Sequence, residues 1–218
     1  MKKVFVLVAA LLVCFVVTAQ EKKTPKDLKS AFSFNIGPSL PIGDFESTNE
    51  SNVNAGFAKT GFNFNVNYEY KFTTNVGLGA NFLYGFHNIH DELLHNIAQN
   101  SSADHYQYAG IFVGPMLSGR ITPRTNANFR LMGGVARSNS PEFVLDGATF
   151  INGDWASAFA WKMDGDVRFQ VNKNAFFMLN VGYMQTRPDF KIDNFGTIEN
   201  AEIHISVINL NAGVGIKF

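Results

Sequence analysis

TGFNFNVNYEYKF, residues 60–72, alternates apolar and polar side chains almost without error. Phenylalanine, valine and tyrosine occupy the even positions from 62 to 72, while asparagine, glutamate and lysine occupy the odd positions from 63 to 71. A period of two is typical of a β-strand whose two faces meet different environments. The apolar face either packs on the core of a soluble sheet or faces lipid around the polar lumen of a barrel. The remainder of the chain distinguishes these two environments.

The first 20 residues, MKKVFVLVAALLVCFVVTAQ, have the features of a secretory signal peptide. Two lysines precede an apolar run from Val4 to Val17, and Ala19 supplies a small residue at the expected cleavage site. The run is shorter than the ~20 apolar residues that a spanning helix needs. We therefore predict a signal peptide over residues 1–19, a flexible periplasmic leader over 20–30 and a membrane-embedded barrel over 31–218.

The composition of the exported chain argues against several kinds of site and partner. Cleavage removes Cys14, the only cysteine, so neither a disulfide nor a thiolate metal site remains. It also removes two of the 18 basic residues and none of the 18 acidic ones, leaving 16 basic residues against 18 acidic ones. This balance gives no indication of a nucleic-acid partner. No phosphate-binding glycine loop accompanies the aromatic residues, so we predict no cofactor.

Alternating segments recur along the chain, and we count eight strands in an all-β, antiparallel, up-and-down transmembrane barrel. The segment near 106–120 is the least regular, because Gly110, Gly114 and Pro115 blur its parity. Long and short connections alternate: the long ones cover about 43–59, 87–105, 138–155 and 187–202, and the short ones about 73–75, 121–127 and 172–174. All long loops then share one end of the barrel, as the extracellular loops of outer-membrane barrels do.

Charge is distributed unevenly between the two ends of this barrel. The four long loops hold 13 acidic residues, from Asp44 to Glu202, and only Lys59, Arg137, Arg187 and Lys191 oppose them in or beside these loops. The opposite end is rich in lysine and arginine. We therefore expect an acidic extracellular face.

Several short motifs carry a resemblance to a known family. They are Ala19-Gln20 at the end of the signal, Gly37-Pro38-x-x-Pro41-Ile42-Gly43-Asp44-Phe45, Gly114-Pro115, and the terminal strand 213–218 ending in Phe218. With these motifs the chain resembles the small eight-stranded outer-membrane β-barrels of the OmpA-like, OmpX-like and PorT-like kinds, in their Bacteroidetes-type variants.

The resemblance implies a monomer in the outer membrane of a Gram-negative bacterium, in contact with outer-membrane lipid and lipopolysaccharide. It also implies that the barrel-assembly machinery recognises Phe218 as an assembly signal. A soluble lipocalin-like barrel is the alternative, with the apolar parity inward. The polar parity is rich in asparagine and glycine rather than lysine and glutamate, which favours a narrow lumen over a soluble surface.

With the apolar parity outward, charged side chains fill the lumen. These are Glu69, Lys71, Arg130, Lys162, Asp164, Asp166 and Arg168, with Gln170 beside them. Because buried ions must be paired, their near balance predicts a polar network that closes the lumen. The alternative is a narrow, porin-like passive pore gated by Glu69, Arg130, Asp166 and Arg168.

Four of the five histidines lie in one predicted loop, within and after HNIHDELLH. His87, His90, Asp91 and His95 have spacings at which imidazole and carboxylate can hold zinc on a short helix. The alternative, which we favour, is a solvated loop helix that packs Ile89, Leu93 and Leu94.

His204 and Ser206 are weak candidates for a catalytic pair. A base and a hydroxyl two residues apart share one face of a strand, and a lipid A deacylase carries a similar His-x-Ser followed by Asn. Here Val207 replaces that asparagine, and the sequence indicates no acidic residue to orient the histidine. We expect ordinary rim residues rather than a lipid A-modifying enzyme.

Aromatic residues fit two interfacial girdles. Tyr68, Tyr70 and Phe72 are expected at the turn end, and Tyr84, Phe86, Tyr106, Tyr108, Trp155 and Tyr183 at the loop end.

The predicted function is structural: the barrel anchors in the membrane, and its loops meet lipopolysaccharide, divalent ions or a surface or envelope protein. A role in secretion, as in PorT-like barrels, stays open.

Overall fold

A computed structural model describes residues 29–49, 52, 54–90, 101–145, 148–151, 154–194 and 197–218. The predicted signal peptide and most of the predicted leader lie outside these residues. Within the described part of the chain, no helix is long and apolar enough to cross a membrane.

Eight antiparallel strands form a closed barrel. They are β1 (Ser30–Pro41), β2 (Gly61–Lys71), β3 (Val76–His87), β5 (Tyr106–Thr122), β6 (Thr125–Asn139), β9 (Trp155–Gln170), β10 (Ala175–Thr186) and β13 (Ile205–Lys217). Each barrel strand pairs with the previous and the next barrel strand along the chain, and β1 pairs with β13 to close the sheet. The predicted fold class and the predicted number of barrel strands are confirmed.

In the described part of the chain, five short strands lie outside the barrel sheet, in segments that we predicted as loops. They are β4 (Ser101–Ala103), β7 (Phe143–Leu145), β8 (Ala148–Ile151), β11 (Asp189–Asn194) and β12 (Thr197–Glu202). The first three form one sheet in the order β4-β7-β8, and the last two form a hairpin. The loop end therefore has β-structure of its own. Its backbone N–H and C=O groups pair with one another, whereas those of irregular loops would hydrogen-bond to water.

The barrel wall is apolar toward the outside, as the alternation of β2 predicts. Phe62, Tyr68 and Tyr70 are exposed on the outer face of β2, while the intervening asparagines are buried in the lumen. Neighbouring strands repeat this arrangement, and Phe159 on β9 is 70% exposed. A soluble barrel would bury these side chains, so the lipocalin-like alternative is wrong.

β5 departs from the predicted distribution of aromatic residues. Tyr106 and Tyr108, which we assigned to the outer girdle, are buried inside the barrel at 4% and 1% exposure. Ile111 and Val113 of the same strand face outward instead. The reason is that the loop-side half of the lumen is apolar and accommodates aromatic rings. The other predicted girdle residues, Tyr68, Tyr70, Phe72, Tyr84, Phe86, Trp155 and Tyr183, are exposed or half-buried.

The seam between the first and last strands closes at the turn end. The backbone N–H of Phe218 donates to Ser30 O at 2.9 Å, and that of Ser30 donates to Phe218 O at 3.0 Å. Lys217 and Ala31 are opposite each other in the same ladder. The terminal residue, whose ring is exposed, therefore completes the barrel's hydrogen bonding.

Candidate functional site

An ionic cluster fills the middle and turn-side part of the lumen. Its members are Glu69, Arg130, Lys162, Asp164, Asp166 and Arg168, each at most 3% exposed. The alternation places them inward: Glu69 comes from β2, Arg130 from β6, and the other four occupy successive inward positions of β9. Six of the seven charged residues predicted for the lumen are thus brought together.

Two carboxylates connect the arginines of this cluster. Arg130 and Arg168 both donate to Oε1 of Glu69. Asp166 lies between the same two guanidiniums, with its Oδ2 2.9 Å from Arg130 Nη2 and its Oδ1 2.7 Å from Arg168 Nε. Asn128 also donates to Asp166 Oδ1, at 2.7 Å. Each arginine is therefore shared between two acids on different strands.

Lys162 and Asp164 extend the cluster toward the loop end. Lys162 Nζ donates to Asp164 Oδ2 at 2.7 Å, and the same oxygen lies 3.6 Å from Arg130 Nε. Three acidic and three basic side chains are then buried together. Buried ions are tolerated when they are paired, so this balance of charge favours their burial inside a narrow barrel.

Lys71 lies two residues beyond Glu69 on β2, nearer the turn end. Its side chain is half-buried, and its Nζ donates to Ser118 Oγ at 2.8 Å. Gln170, at the turn-side end of β9, is also half-buried. The two residues line the turn-side mouth of the lumen rather than its buried middle.

A wall of asparagine amides lines β2 and β3. Asn65 donates to Asn63 Oδ1 at 2.7 Å, and Asn81 donates to both Asn65 Oδ1 at 3.2 Å and Asn67 Oδ1 at 2.8 Å. All four side chains are buried. The amides donate to one another along this face, while Asn81 Oδ1 accepts no hydrogen bond among the described residues.

An apolar cap fills the loop-side part of the lumen, where we predicted a polar interior. Its buried members are Phe45, Ala58, Leu83, Ile89, Tyr106, Tyr108, Phe112, Met132, Ala136, Ala160, Met184, Ile205 and Val207. Phe45, Ala58 and Ile89 come from the connections that fold over the mouth, and the others come from barrel strands. The interior is therefore polar in one part and apolar in the other.

Phe45 is the central ring of this apolar cap. It belongs to a short 3-10 helix, Gly43–Phe45, and its ring meets those of His87 and Tyr106 at centroid distances of 5.2 and 5.1 Å. Its backbone oxygen accepts from Ala58 at 3.0 Å. Ala58 in turn pairs with Ile89, so the connection after β1 and the one after β3 meet at the loop-side mouth.

The structure describes two of the four residues of the predicted metal site, His87 and His90. His87 is fully buried, with Nδ1 2.9 Å from Lys59 O and Nε2 3.4 Å from Tyr108 Oη. His90 pairs through its backbone with Phe57 and is half-buried, while Asp91 and His95 lie outside the described residues. Among the described residues, no group of three or more metal-ligating side chains is present.

His204 binds two acids that the sequence did not indicate. Its Nδ1 lies 3.2 Å from Asp44 Oδ2, and its Nε2 lies 2.6 Å from Glu202 Oε1. Ser206 is 8% exposed, and its backbone oxygen accepts from Ile42. Both ring nitrogens therefore face carboxylates, an arrangement that ties the connection after β1 to the start of β13.

A family model for the outer membrane protein beta-barrel domain matches residues 7–218. The chain belongs to this family. Its place in the bacterial outer membrane follows from this membership and from the apolar outer wall. A search of curated proteins finds no relative by sequence.

Solved structures of outer-membrane barrels share the fold of this family member. Ail, the attachment invasion locus protein of Yersinia pestis, is 16% identical with a TM-score of 0.51, covering 88% of this chain and 100% of its own. Neisserial surface protein A is 13% identical with a TM-score of 0.53, covering 87% and 97%. A major outer membrane protein of Thermus thermophilus is 10% identical with a TM-score of 0.52, covering 87% and 99%.

Proposed function

We propose that the protein is a closed outer-membrane barrel that anchors in the bilayer and presents an acidic, β-structured loop end to the cell's surroundings. The barrel acts as a scaffold, and recognition takes place on the loops. Narrow passive transport through the lumen is the alternative function.

The two-part filling of the lumen is the observation that carries this proposal. An ion crossing the barrel would have to pass both the apolar cap around Phe45 and the paired charges around Arg130. Neither part is solvated, since the cap members and the charged side chains are buried. Eight strands leave an interior just wide enough for side chains, so both parts would have to rearrange before ions could pass.

Conductance in planar lipid bilayers tests the closed state. The mature protein is expected to give no large, steady current. A double variant, Phe45→Ala with Arg130→Ser, removes bulk from both parts and is expected to raise the frequency of open events. Arg124→Ser, at the exposed turn between β5 and β6, removes the same charge outside the lumen and serves as the control. A large, steady wild-type current would refute the closed barrel and support the passive pore.

The surface role is supported by the extra sheets at the loop end. The hairpin of β11 and β12 and the sheet of β4, β7 and β8 are separate from the barrel sheet. In sequence these connections are acidic, which suits divalent ions bridging to lipopolysaccharide, or a basic surface or envelope protein.

Cross-linking on intact cells tests the loop-end partner. Replacing residues 189–202 with a short glycine-serine linker removes the hairpin but leaves all eight barrel strands. Loss of a specific cross-linked species in this variant supports the proposal. Replacing the turn at 172–174 provides the control, since it lies at the opposite end. An unchanged cross-linking pattern in the hairpin variant would contradict a hairpin-borne partner.

We propose no catalytic role for His204 and Ser206. Since both ring nitrogens of His204 approach carboxylates, the described contacts leave none for activating the Ser206 hydroxyl. Lipid A from cells that overproduce the protein should have an unchanged acyl composition, compared with cells that overproduce His204→Ala. A difference between the two would restore the enzyme hypothesis.

A further inference from the structure

Arg137 is an outward-facing cation at the loop-side end of the barrel wall. It is exposed on β6, two residues beyond the exposed Val135. Its cross-strand partners are Ala109 of β5 and Ser157 of β9. The wall immediately below it is apolar and at least 60% exposed, with Ile111, Val135 and Phe159. Arg137 therefore lies where the lipid-facing wall ends.

Trp155 lies on the loop side of Arg137 and contacts its guanidinium. The Cζ atom of Arg137 lies 5.1 Å from the centroid of the Trp155 ring, which is a cation–π distance. Trp155 is itself exposed on the outer wall, as expected of an aromatic residue at the membrane–water interface. The pair is thus oriented toward lipid headgroups rather than toward the lumen.

Arg137 has no acidic partner among the residues that the structure describes, although the loops are acidic in sequence. Asp104, which comes just before the neighbouring β5, pairs instead with Nδ1 of His105 at 2.5 Å. The guanidinium therefore keeps its N–H donors available at the interface. The side chains opposite it, Ala109 and Ser157, are small and leave these donors accessible.

The environment of Arg137 suits the phosphate of a lipid headgroup. An arginine on the lipid face of a barrel costs about 2–4 kcal/mol at the bilayer midplane and about 0–1 kcal/mol near the interface, so its position fits a headgroup contact. The planar guanidinium matches a phosphate with two parallel hydrogen bonds. Ser157, which is exposed beside it, adds a hydroxyl donor.

We propose that Arg137, oriented by Trp155 and assisted by Ser157, binds the phosphate of a lipid headgroup in the outer leaflet. Lipopolysaccharide supplies such phosphates on its lipid A. The inference rests on the proposed function, because it requires that the loop end face the cell surface. It assigns to the barrel a defined lipid site, beyond general contact with the bilayer.

Native mass spectrometry of the mature protein in detergent tests the site. The protein is titrated separately with diphosphorylated lipid A, with dephosphorylated lipid A and with inorganic phosphate. Wild type should retain diphosphorylated lipid A. Arg137→Gln should bind it roughly tenfold more weakly, because a hydrogen-bonded charge is lost. Arg137→Lys should bind about threefold more weakly, because the charge stays but the paired hydrogen bonds do not.

Matched variants distinguish binding at this site from a general effect of positive charge. Arg124→Gln removes the same charge at the turn end and should bind lipid A like the wild type. Trp155→Leu should weaken binding several-fold by releasing the guanidinium. Circular dichroism confirms that each variant is folded, and Arg137→Lys keeps the test valid should Arg137→Gln fail to fold.

Three results would overturn the inference. One is wild-type affinity of Arg137→Gln for diphosphorylated lipid A. Another is equal binding of dephosphorylated lipid A. The third is an Arg137-dependent affinity for inorganic phosphate as high as that for the lipid, which would indicate a free anion as the ligand. The conductance test of the closed barrel uses bilayers without phosphorylated glycolipid. Its result therefore does not depend on the lipid site, and failure of the closed barrel can be distinguished from failure of this site.

Discussion

Replacing Glu69 with glutamine tests whether the ionic cluster stabilises the barrel. The substitution preserves shape but removes the charge that both Arg130 and Arg168 contact. Three acids and three bases then become two acids and three bases inside the lumen. An uncompensated buried charge, rather than a cavity, is the expected source of instability.

The structure sets the size of the expected effect. Removing one partner of a buried ion pair typically costs about 3–5 kcal/mol. Here each arginine keeps Asp166, at 2.9 Å from Arg130 and 2.7 Å from Arg168. Because both guanidiniums remain partly compensated, we expect the lower part of that range, a loss of about 3–4 kcal/mol in the free energy of unfolding.

Equilibrium urea unfolding in phospholipid vesicles, followed by circular dichroism, measures this loss. Glu46→Gln is the matched control, because it removes the same charge from an exposed side chain outside the barrel strands. The control should change the free energy of unfolding by less than about 0.5 kcal/mol. Two more variants complete the series: Arg168→Gln alone, and a double variant that combines it with Glu69→Gln and restores the balance of charge.

The double variant gives the stricter test. If the cluster acts as a unit, the loss in the double variant is smaller than the sum of the two single losses by at least about 1 kcal/mol. Additive losses, or a loss below about 1 kcal/mol for Glu69→Gln alone, would show that the cluster does not stabilise the barrel as a paired network.

Three further predictions concern packing and assembly. Gly134→Ala should lower the free energy of unfolding by about 2–3 kcal/mol in the same urea assay, because a Cβ there would lie 1.9 Å from the backbone oxygen of Ile111; Gly165→Ala, with nothing within 4 Å, should be neutral. Phe45→Ala should cost about 3–5 kcal/mol by opening a void in the apolar cap, and a loss under about 1 kcal/mol would contradict its central place there. Phe218→Ala should reduce assembled barrel in cells, measured in isolated outer membranes, while leaving spontaneous refolding in detergent unchanged; a wild-type yield in cells would contradict an assembly signal.

The barrel and its ionic cluster could be predicted from the sequence because alternation reports which face of a strand meets lipid. On β2, and on β9 from Trp161 to Gln170, one parity is mainly apolar and the other is polar, so Glu69 and Asp166 are placed inward without further information. The same rule predicts that charges from different strands share the lumen. It does not predict which pairs form, because that depends on the register between distant strands.

Alternation fails where both parities of a strand are apolar. On β5, Ile111 and Val113 face lipid while Phe112 and Met116 face the lumen, so hydrophobicity alone cannot distinguish the two faces. A signal was nevertheless present in the glycines. Gly114 shares its parity with the inward Phe112, and a Cβ at Gly114 would lie 2.0 Å from the backbone oxygen of Leu131.

The apolar cap could not be predicted because its parts are distant in sequence. Phe45, Ala58 and Ile89 meet only when the connections after β1 and β3 fold over the mouth. Three of the extra strands, β4, β7 and β8, escaped prediction for a different reason, since their three or four residues are too few to show a period of two.

The cap and the cluster depend on each other physically. Paired charges attract more strongly where water is excluded, and the apolar cap is what separates the cluster from water at the loop end. An entirely apolar lumen would have no charges at the inward positions of β9. An entirely polar lumen would admit water from the loop-side mouth. Phe45 and its neighbours above Arg130 and Asp166 therefore place buried apolar side chains at the loop end of the lumen and paired charge below them, and the proposal of a closed barrel that acts through its loops and outer wall rests on this arrangement.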